Sequence, residues 1–288
     1  MQTIFLYILL FLSIFMETGK TIFSNSFSKN ILRNDTDIYK FNFFTYLGST
    51  VVLMFYRGGG TSLFSVILAL FFSICIWLNQ YFMLKALECG SMTFTTFMAG
   101  SNLIIPVIFG AIVWHEKITF LQIAMLALLI LSMAVALDIK RDGVNLKWLV
   151  MSLLTMLTSG LIGIMQSIHQ SSAHAGELAS FLRYSFIFSA IINLIGWKMR
   201  EHKENTSFSI KGKTFAQAVL TGVFLGAVHI INLYLAGKLP KVIFFPAVNG
   251  GLIFVTLVAD LIFFKERLNW KQWIGIIIGS IALCIMGV

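Results

Sequence analysis

The sequence predicts an all-α membrane protein of ten transmembrane helices in two inverted five-helix repeats. Three observations carry that expectation. The chain of 288 residues is 58% hydrophobic and 11% charged, whereas soluble domains carry roughly 25% charged residues. Its apolar residues gather into ten stretches, each near the length of about 20 residues that a membrane-spanning helix needs. Two segments 150 residues apart also match, Ala111–Leu137 and Leu261–Gly287. Each is an apolar helix end, a charged turn with a central glutamate (Glu116, Glu266) and a second apolar helix with glutamine at the same place (Gln122, Gln272).

The spans follow in order. Span one, Ile4–Phe27, carries Glu17 and Lys20 inside an otherwise apolar run; no basic residue precedes it and more spans follow, which argues against a cleaved signal peptide. Span two is Ile38–Tyr56, and span three, Ser62–Leu84, holds Asn79, Gln80 and Tyr81. Span four, Met92–Trp114, shows Thr95, Ala99 and Asn102 at helical spacing, followed by Pro106. Span five, Ile118–Leu137, follows the Glu116 turn. Span six, Leu146–His169, has Ser152, Thr155, Ser159, Gly163, Gln166 and His169 along one face. Span seven, Glu177–Trp197, contains Arg183 and Tyr184. Span eight, Thr214–Ala236, contains Gln217, Thr221, His229 and Asn232. Span nine, Val242–Phe264, contains Pro246, Asn249, Gly250-Gly251, Thr256 and Asp260, and span ten is Trp270–Gly287. The longest loop, Lys198–Lys213, is basic and polar, and no soluble domain fits anywhere.

The halves divide as residues 1–142 and 143–288. Five spans in a half return the second half to the opposite side, so the two glutamate turns lie on opposite faces and the repeat is inverted. A weaker match joins Thr18-Gly19 to Ser159-Gly160, at an offset of 141.

The net charge of +9 is a property of the loops. Fifteen Lys and Arg follow spans one, three, five, seven and nine, and four follow the others. The positive-inside rule makes the first face cytoplasmic and points both termini outward. A nucleic-acid partner is not needed to explain the charge. The three cysteines, Cys75, Cys89 and Cys284, show no CxxC spacing and imply neither a disulfide framework nor a zinc site.

Ten spans in five plus five, each half closed by an apolar helix, a Glu turn and another apolar helix, resembles the EamA type of the drug/metabolite transporter superfamily. The resemblance covers almost the whole chain. It implies a helical bundle with a central cavity, alternating access, and export or exchange of small organic solutes, with spans five and ten at the periphery. Two features depart from the family pattern: Pro106 and Pro246 stand at different relative positions in their spans, with Thr256 at the position equivalent to Pro106, and the charge count turns the termini outward.

The expected substrate site is a set of polar groups near the middle of the membrane: Glu17, Lys20, Asn102, Gln166, Arg183, His229, Asn232 and Asn249. An ionised carboxylate inside a span is costly and faces a cavity or a partner. Glu17 fits proton coupling or a cationic substrate group, and Lys20, on the same helical face, offers a purely structural pairing instead. Arg183 suits an anion, through two parallel hydrogen bonds, or else pairs with Glu177 at the span end. A single Asn, Ser or Thr is explained by an interhelical hydrogen bond worth roughly 0.6 kcal/mol, but polar faces on five spans fit a cavity between the halves better. Pro106 and Pro246 each remove a backbone hydrogen bond and suit helix bends at that cavity. Glu116 and Glu266 sit at the membrane surface beside Lys117, Lys265 and Arg267, and are excluded from the site. Gly222–Gly226 and Gly275–Gly279 suit close helix packing, the second pair in a homodimer through peripheral helices, against lipid or within the chain.

Met16–Thr21 resembles the end of a phosphate-binding loop, but Ile14 stands where the motif needs glycine. No HExxH, acidic metal cluster or Ser–His–Asp set can be assembled, so no enzyme activity, cofactor or metal is expected. The expected function is secondary transport of small organic metabolites or drugs across the cell membrane, by export or exchange, with proton coupling as an option. The alternatives are a multi-pass enzyme acting on lipid-linked substrates and a non-transporting membrane scaffold.

Overall fold

The computed structural model describes residues 2–56, 58–113, 115, 119–136, 145–204, 212–236, 238, 241–265 and 269–286. Among them the chain is helical throughout, with no strand. The α-helices are α1 (Gln2–Asn30), α2 (Asp35–Met54), α3 (Leu63–Cys89), α4 (Met92–Gly100), α5 (Ile104–Val113), α6 (Phe120–Ala136), α7 (Leu146–Ser171), α8 (Leu178–Glu204), α9 (Gly212–Ala236), α10 (Lys241–Ala259) and α11 (Trp270–Met286). Six segments among the described residues are long and apolar enough to cross a membrane: Ile4–Asn30, Leu63–Cys89, Met92–Val113, Leu146–Ser171, Ala175–His202 and Gly212–Asn232.

Helix α2 is less apolar because much of its surface faces protein rather than lipid, although Leu47, Val51 and Met54 are exposed. Its polar residues Asn42, Thr45, Ser49 and Thr50 are buried, and it packs on α8 and α9. Asn34 caps it through a reciprocal box with Asp37, which satisfies amides that a helix start leaves free. Gly48 of α2 and Gly222 and Gly226 of α9 bring the two backbones together: a Cβ on Gly48 would lie 2.9 Å from the Val219 carbonyl oxygen, and one on Gly226 would lie 3.0 Å from that of Ser49. Thr45 then donates to the Ala218 carbonyl at 3.2 Å and Ser49 to that of Gly222 at 2.9 Å. The second glycine pair behaves similarly in part, since Gly279 of α11 lies against Phe97 of α4 and Ser132 of α6.

The principal helix pairings join the first half of the chain to the second. Helix α1 packs on α9, as α3 does on α7; α2 packs on α9, as α3 does on α8; α1 packs on α10, as α7 does on α4 and α5. Helix α2 also packs on α8, α4 on α10 and α6 on α11.

Charged contacts gather helix ends at one face. Asp35 pairs with Lys85 and with Arg200, each at 3.1 Å, and Glu88 pairs with Lys85 and Lys147, each at 3.5 Å. Lys29 lies 5.9 Å from the centre of the Phe264 ring. The ends following α1, α3, α8 and α10, and the start of α7, are therefore together. Burial raises the Asp35 carboxyl, but the Lys85 and Arg200 charges outweigh it and hold the group below its ordinary value. At the other end Glu177 accepts from the Ser62 amide at 2.8 Å and from the hydroxyls of Ser62 and Ser65, each at 2.6 Å.

Span four is split. A 3-10 turn, Ser101–Leu103, separates α4 from α5. Pro106 explains the site of the break, because it offers no N–H to the carbonyl four residues earlier, that of Asn102. Pro246 has no such effect, for α10 runs unbroken from Lys241 to Ala259. The irregularity of span nine comes later, as a π-helical turn over Asp260–Phe264. The loop expected from Lys198 is also shorter, since α8 continues to Glu204, where Lys198 pairs with Glu201 at 3.1 Å. Glu116 and Glu266 lie outside the described residues.

Candidate transport site

The polar groups of α1 and α9 meet where the two helices pack. Glu17 and Lys20 form an ion pair, their side chains 23% and 17% exposed. Three-residue spacing places them on one face, and the Thr21 hydroxyl returns to the Glu17 carbonyl at 3.0 Å. Across the contact, His229 lies within reach of both charges, and its ring stands edge-on to Phe186 at 5.5 Å. One turn earlier on α1, Ser13 donates to the Asn232 side-chain oxygen at 2.5 Å. The ring of Phe224 fills the space opposite Gly19, which is why that position carries no Cβ. Glu17, Lys20, His229 and Asn232 are therefore brought together, with Ser13 as a member that sequence reasoning did not single out.

Asn102 sits in the 3-10 turn of the split span, half-buried. Helix α7 lies against this break: a Cβ on Gly163 would be 3.3 Å from Pro106 Cγ, and one on Gly160 would be 2.5 Å from Ile105 Cβ. Gln166 follows Gly163 by one turn on α7 and is half-buried. Asn249 is half-buried on α10, two residues before Gly251, which rests on Ile14 of α1. The side-chain amides of Asn102, Gln166 and Asn249 make no hydrogen bond among the described residues. Half-buried amides without a protein partner keep their donors and acceptors for a ligand.

Arg183 stands apart from these groups. Its guanidinium donates to the Tyr56 carbonyl at 3.0 Å, and its Nε is buried without a partner. The pairing with Glu177 that its span-end position suggested does not form, since Glu177 is taken by Ser62, Ser65 and, at 3.3 Å, His174. Other span-six polar groups are absorbed by packing. Asn79 of α3 donates to the Thr155 carbonyl at 3.0 Å, Thr158 Oγ1 at 3.1 Å and Ser159 Oγ at 2.7 Å, and buried His169 meets Ser65 at 3.1 Å. Trp148 stacks on Phe94 at 5.1 Å and donates to Thr95 at 3.0 Å, fixing α7 on α4. No group of three or more His, Cys, Asp and Glu that could hold a metal is present among the described residues.

A helical body faced with exposed Leu, Ile and Phe, with several helices long and apolar enough to cross a membrane, is that of a multi-pass membrane protein. The chain belongs to the EamA-like transporter family, whose model matches residues 146–288, within the drug/metabolite transporter superfamily. Its function is thus broadly that of a membrane transporter. No curated protein matches it in sequence. Among solved structures, one crystal structure superposes with a TM-score of 0.59 at 11% identity, over 95% of this chain and 97% of that one, which is a likeness of fold.

Proposed function

We propose that the chain is a ten-span secondary transporter moving small organic metabolites or drugs by alternating access between inverted halves, as an exporter or exchanger in the cell membrane. The exchange of principal helix pairings between the halves carries this reading, because two copies related by a two-fold axis give a site between them that either face can open. The gathering of odd-numbered span ends at one face supports the inversion. Glu17, Lys20, His229 and Asn232 form one part of the substrate site, and Asn102, Gln166 and Asn249 supply free amides. Arg183 acts at the face of the 56–62 loop, on an anionic group entering or leaving. The Glu17–Lys20 pair offers both charges to a zwitterion or amine and suits proton coupling. The family match argues against an enzyme on lipid-linked substrates, since the family is one of transporters.

The test is a solute panel on purified protein in vesicles, with and without a proton gradient. Movement of one or more solutes, reduced in Asn102→Ala and Asn249→Ala, is expected. A correctly folded protein that moves none of them overturns the reading.

A further inference from the structure

The seam between α4 and α10 contains buried oxygens that the protein leaves bare. Asp260 begins the π-helical turn and is 2% exposed. One carboxylate oxygen, Oδ2, accepts from the Thr93 amide at 2.8 Å and the Thr93 hydroxyl at 2.7 Å, which seats it at the start of α4. The other, Oδ1, is buried with no partner. A second contact fixes the register: a Cβ on Gly100 would lie 3.8 Å from Ile253 Cδ1. The helices therefore run antiparallel, with Thr93 level with Asp260 and Gly100 level with Ile253.

Between those two levels lie Thr96 and Thr256. Thr96 follows Thr93 by three residues and Thr256 follows Ile253 by three, so both are turned to the same side of an antiparallel seam, within about one residue's rise of 1.5 Å. Thr96 is 4% exposed and Thr256 is 0% exposed, and both hydroxyls lack a partner. Thr18 on α1 is bare too, but five other buried threonines, Thr45, Thr50, Thr155, Thr158 and Thr221, return their hydroxyls to the carbonyl four residues back. Thr96 and Thr256 do not. Three buried oxygens without a partner thus lie along one stretch of the seam, within a turn of one another by register, and one of them belongs to a carboxylate. Leaving such groups unsatisfied is costly.

We propose that Asp260 Oδ1, Thr96 Oγ1 and Thr256 Oγ1 bind one sodium ion. Carboxylate and hydroxyl oxygens are hard donors suited to a hard cation. A single carboxylate balances a single positive charge and would leave a divalent ion uncompensated in a buried seam. The adjoining π turn adds acceptors, because a switch from i+4 to i+5 pairing leaves a carbonyl without its amide, and irregular backbone beside a carboxylate is a setting in which transporters coordinate sodium. Bound sodium would join α4 to α10 at the end where the Asp35 and Glu88 ion pairs lie. Its use as a coupling ion rests on the transport reading; its binding does not.

The experiment is thermal unfolding of the purified protein in sodium chloride against potassium chloride and choline chloride at equal ionic strength, paired with the vesicle assay under a sodium gradient. Sodium should raise the unfolding temperature saturably, as a ligand of the folded state does, and potassium and choline should not. Asp260→Asn should abolish the sodium shift. Because Asp260 also caps α4, Thr96→Val with Thr256→Val is the second variant: it leaves the Thr93 cap in place and should raise the half-saturating sodium concentration about tenfold, equivalent to about 1.4 kcal/mol. Absence of a sodium-specific shift in the unsubstituted protein, or its survival in both variants, overturns the site. So does a shift that follows pH and ignores sodium, for the carboxylate then carries a proton. A sodium shift without solute movement supports the site while the transport reading falls; solute movement with no sodium shift does the reverse.

Discussion

Gly222→Ala tests how far the bundle depends on the contact between α2 and α9. The new methyl carbon would lie 2.9 Å from the Thr45 carbonyl carbon, closer still to its oxygen, and 3.1 Å from Gly48 Cα. All three are backbone atoms, so no side-chain rotation relieves the overlap and the helices must separate. Overpacking of this kind costs about 1–3 kcal/mol. Separation also stretches the Thr45–Ala218 and Ser49–Gly222 hydrogen bonds, now 3.2 and 2.9 Å, and each such bond is worth roughly 0.6 kcal/mol in a membrane bundle. The expected loss is about 2–4 kcal/mol, read as a lower midpoint in reversible unfolding by SDS in mixed micelles. Gly212→Ala is the control, since nothing lies within 4 Å of a Cβ there. Equal midpoints for Gly222→Ala and Gly212→Ala would refute the close-packing argument.

Three further outcomes are expected. Glu17→Gln should leave Lys20 without its counter-charge and lower solute transport while flattening its pH profile; an unchanged rate and profile in vesicles would remove Glu17 from the site. Asp35 has a folded value below 3.8, so its ion pairs stabilise the fold fully above about pH 4 and that stabilisation is lost as pH falls through the lowered value; Asp35→Asn should shrink the difference in unfolding midpoint between pH 7 and pH 3, and an undiminished difference counts against the assignment. Glu177→Gln weakens the acceptor of three hydrogen bonds at the start of α3, and hydrogen exchange at Ser62 and Ser65 should quicken, whereas exchange in α2 should not change.

Much of the helical order was legible because apolar runs and polar punctuation are local properties of the sequence. Pro106 marked a real break, since the carbonyl it frees is four residues back in the same span. Pro246 did not, and the π turn at Asp260 has no comparable local signature; the partner of the Asp260 carboxylate, Thr93, lies on another helix. The Glu17–Lys20 pair could be read from three-residue spacing, while the meeting with His229 and Asn232 required knowing that α1 packs on α9. Asn79 was visible as a polar residue in span three, but only tertiary contact reveals that it consumes the acceptors of Thr155, Thr158 and Ser159. The Thr96, Thr256 and Asp260 cluster escaped for the same reason: each is unexceptional in its own span, and the signal is that all three lack partners along one stretch of a seam.

The bedding of α2 between α8 and α9 has a consequence for biosynthesis. When α2 leaves the ribosome, the carbonyls that will accept from Thr45 and Ser49 belong to residues 218 and 222, which have yet to be made. Until then the two hydroxyls have only the carbonyls of Phe41 and Thr45, four residues back in α2 itself, to donate to. The contacts that join α2 to α9 therefore wait for the synthesis of more than a hundred and fifty further residues. The first half of the chain acquires its finished surroundings only when the second arrives.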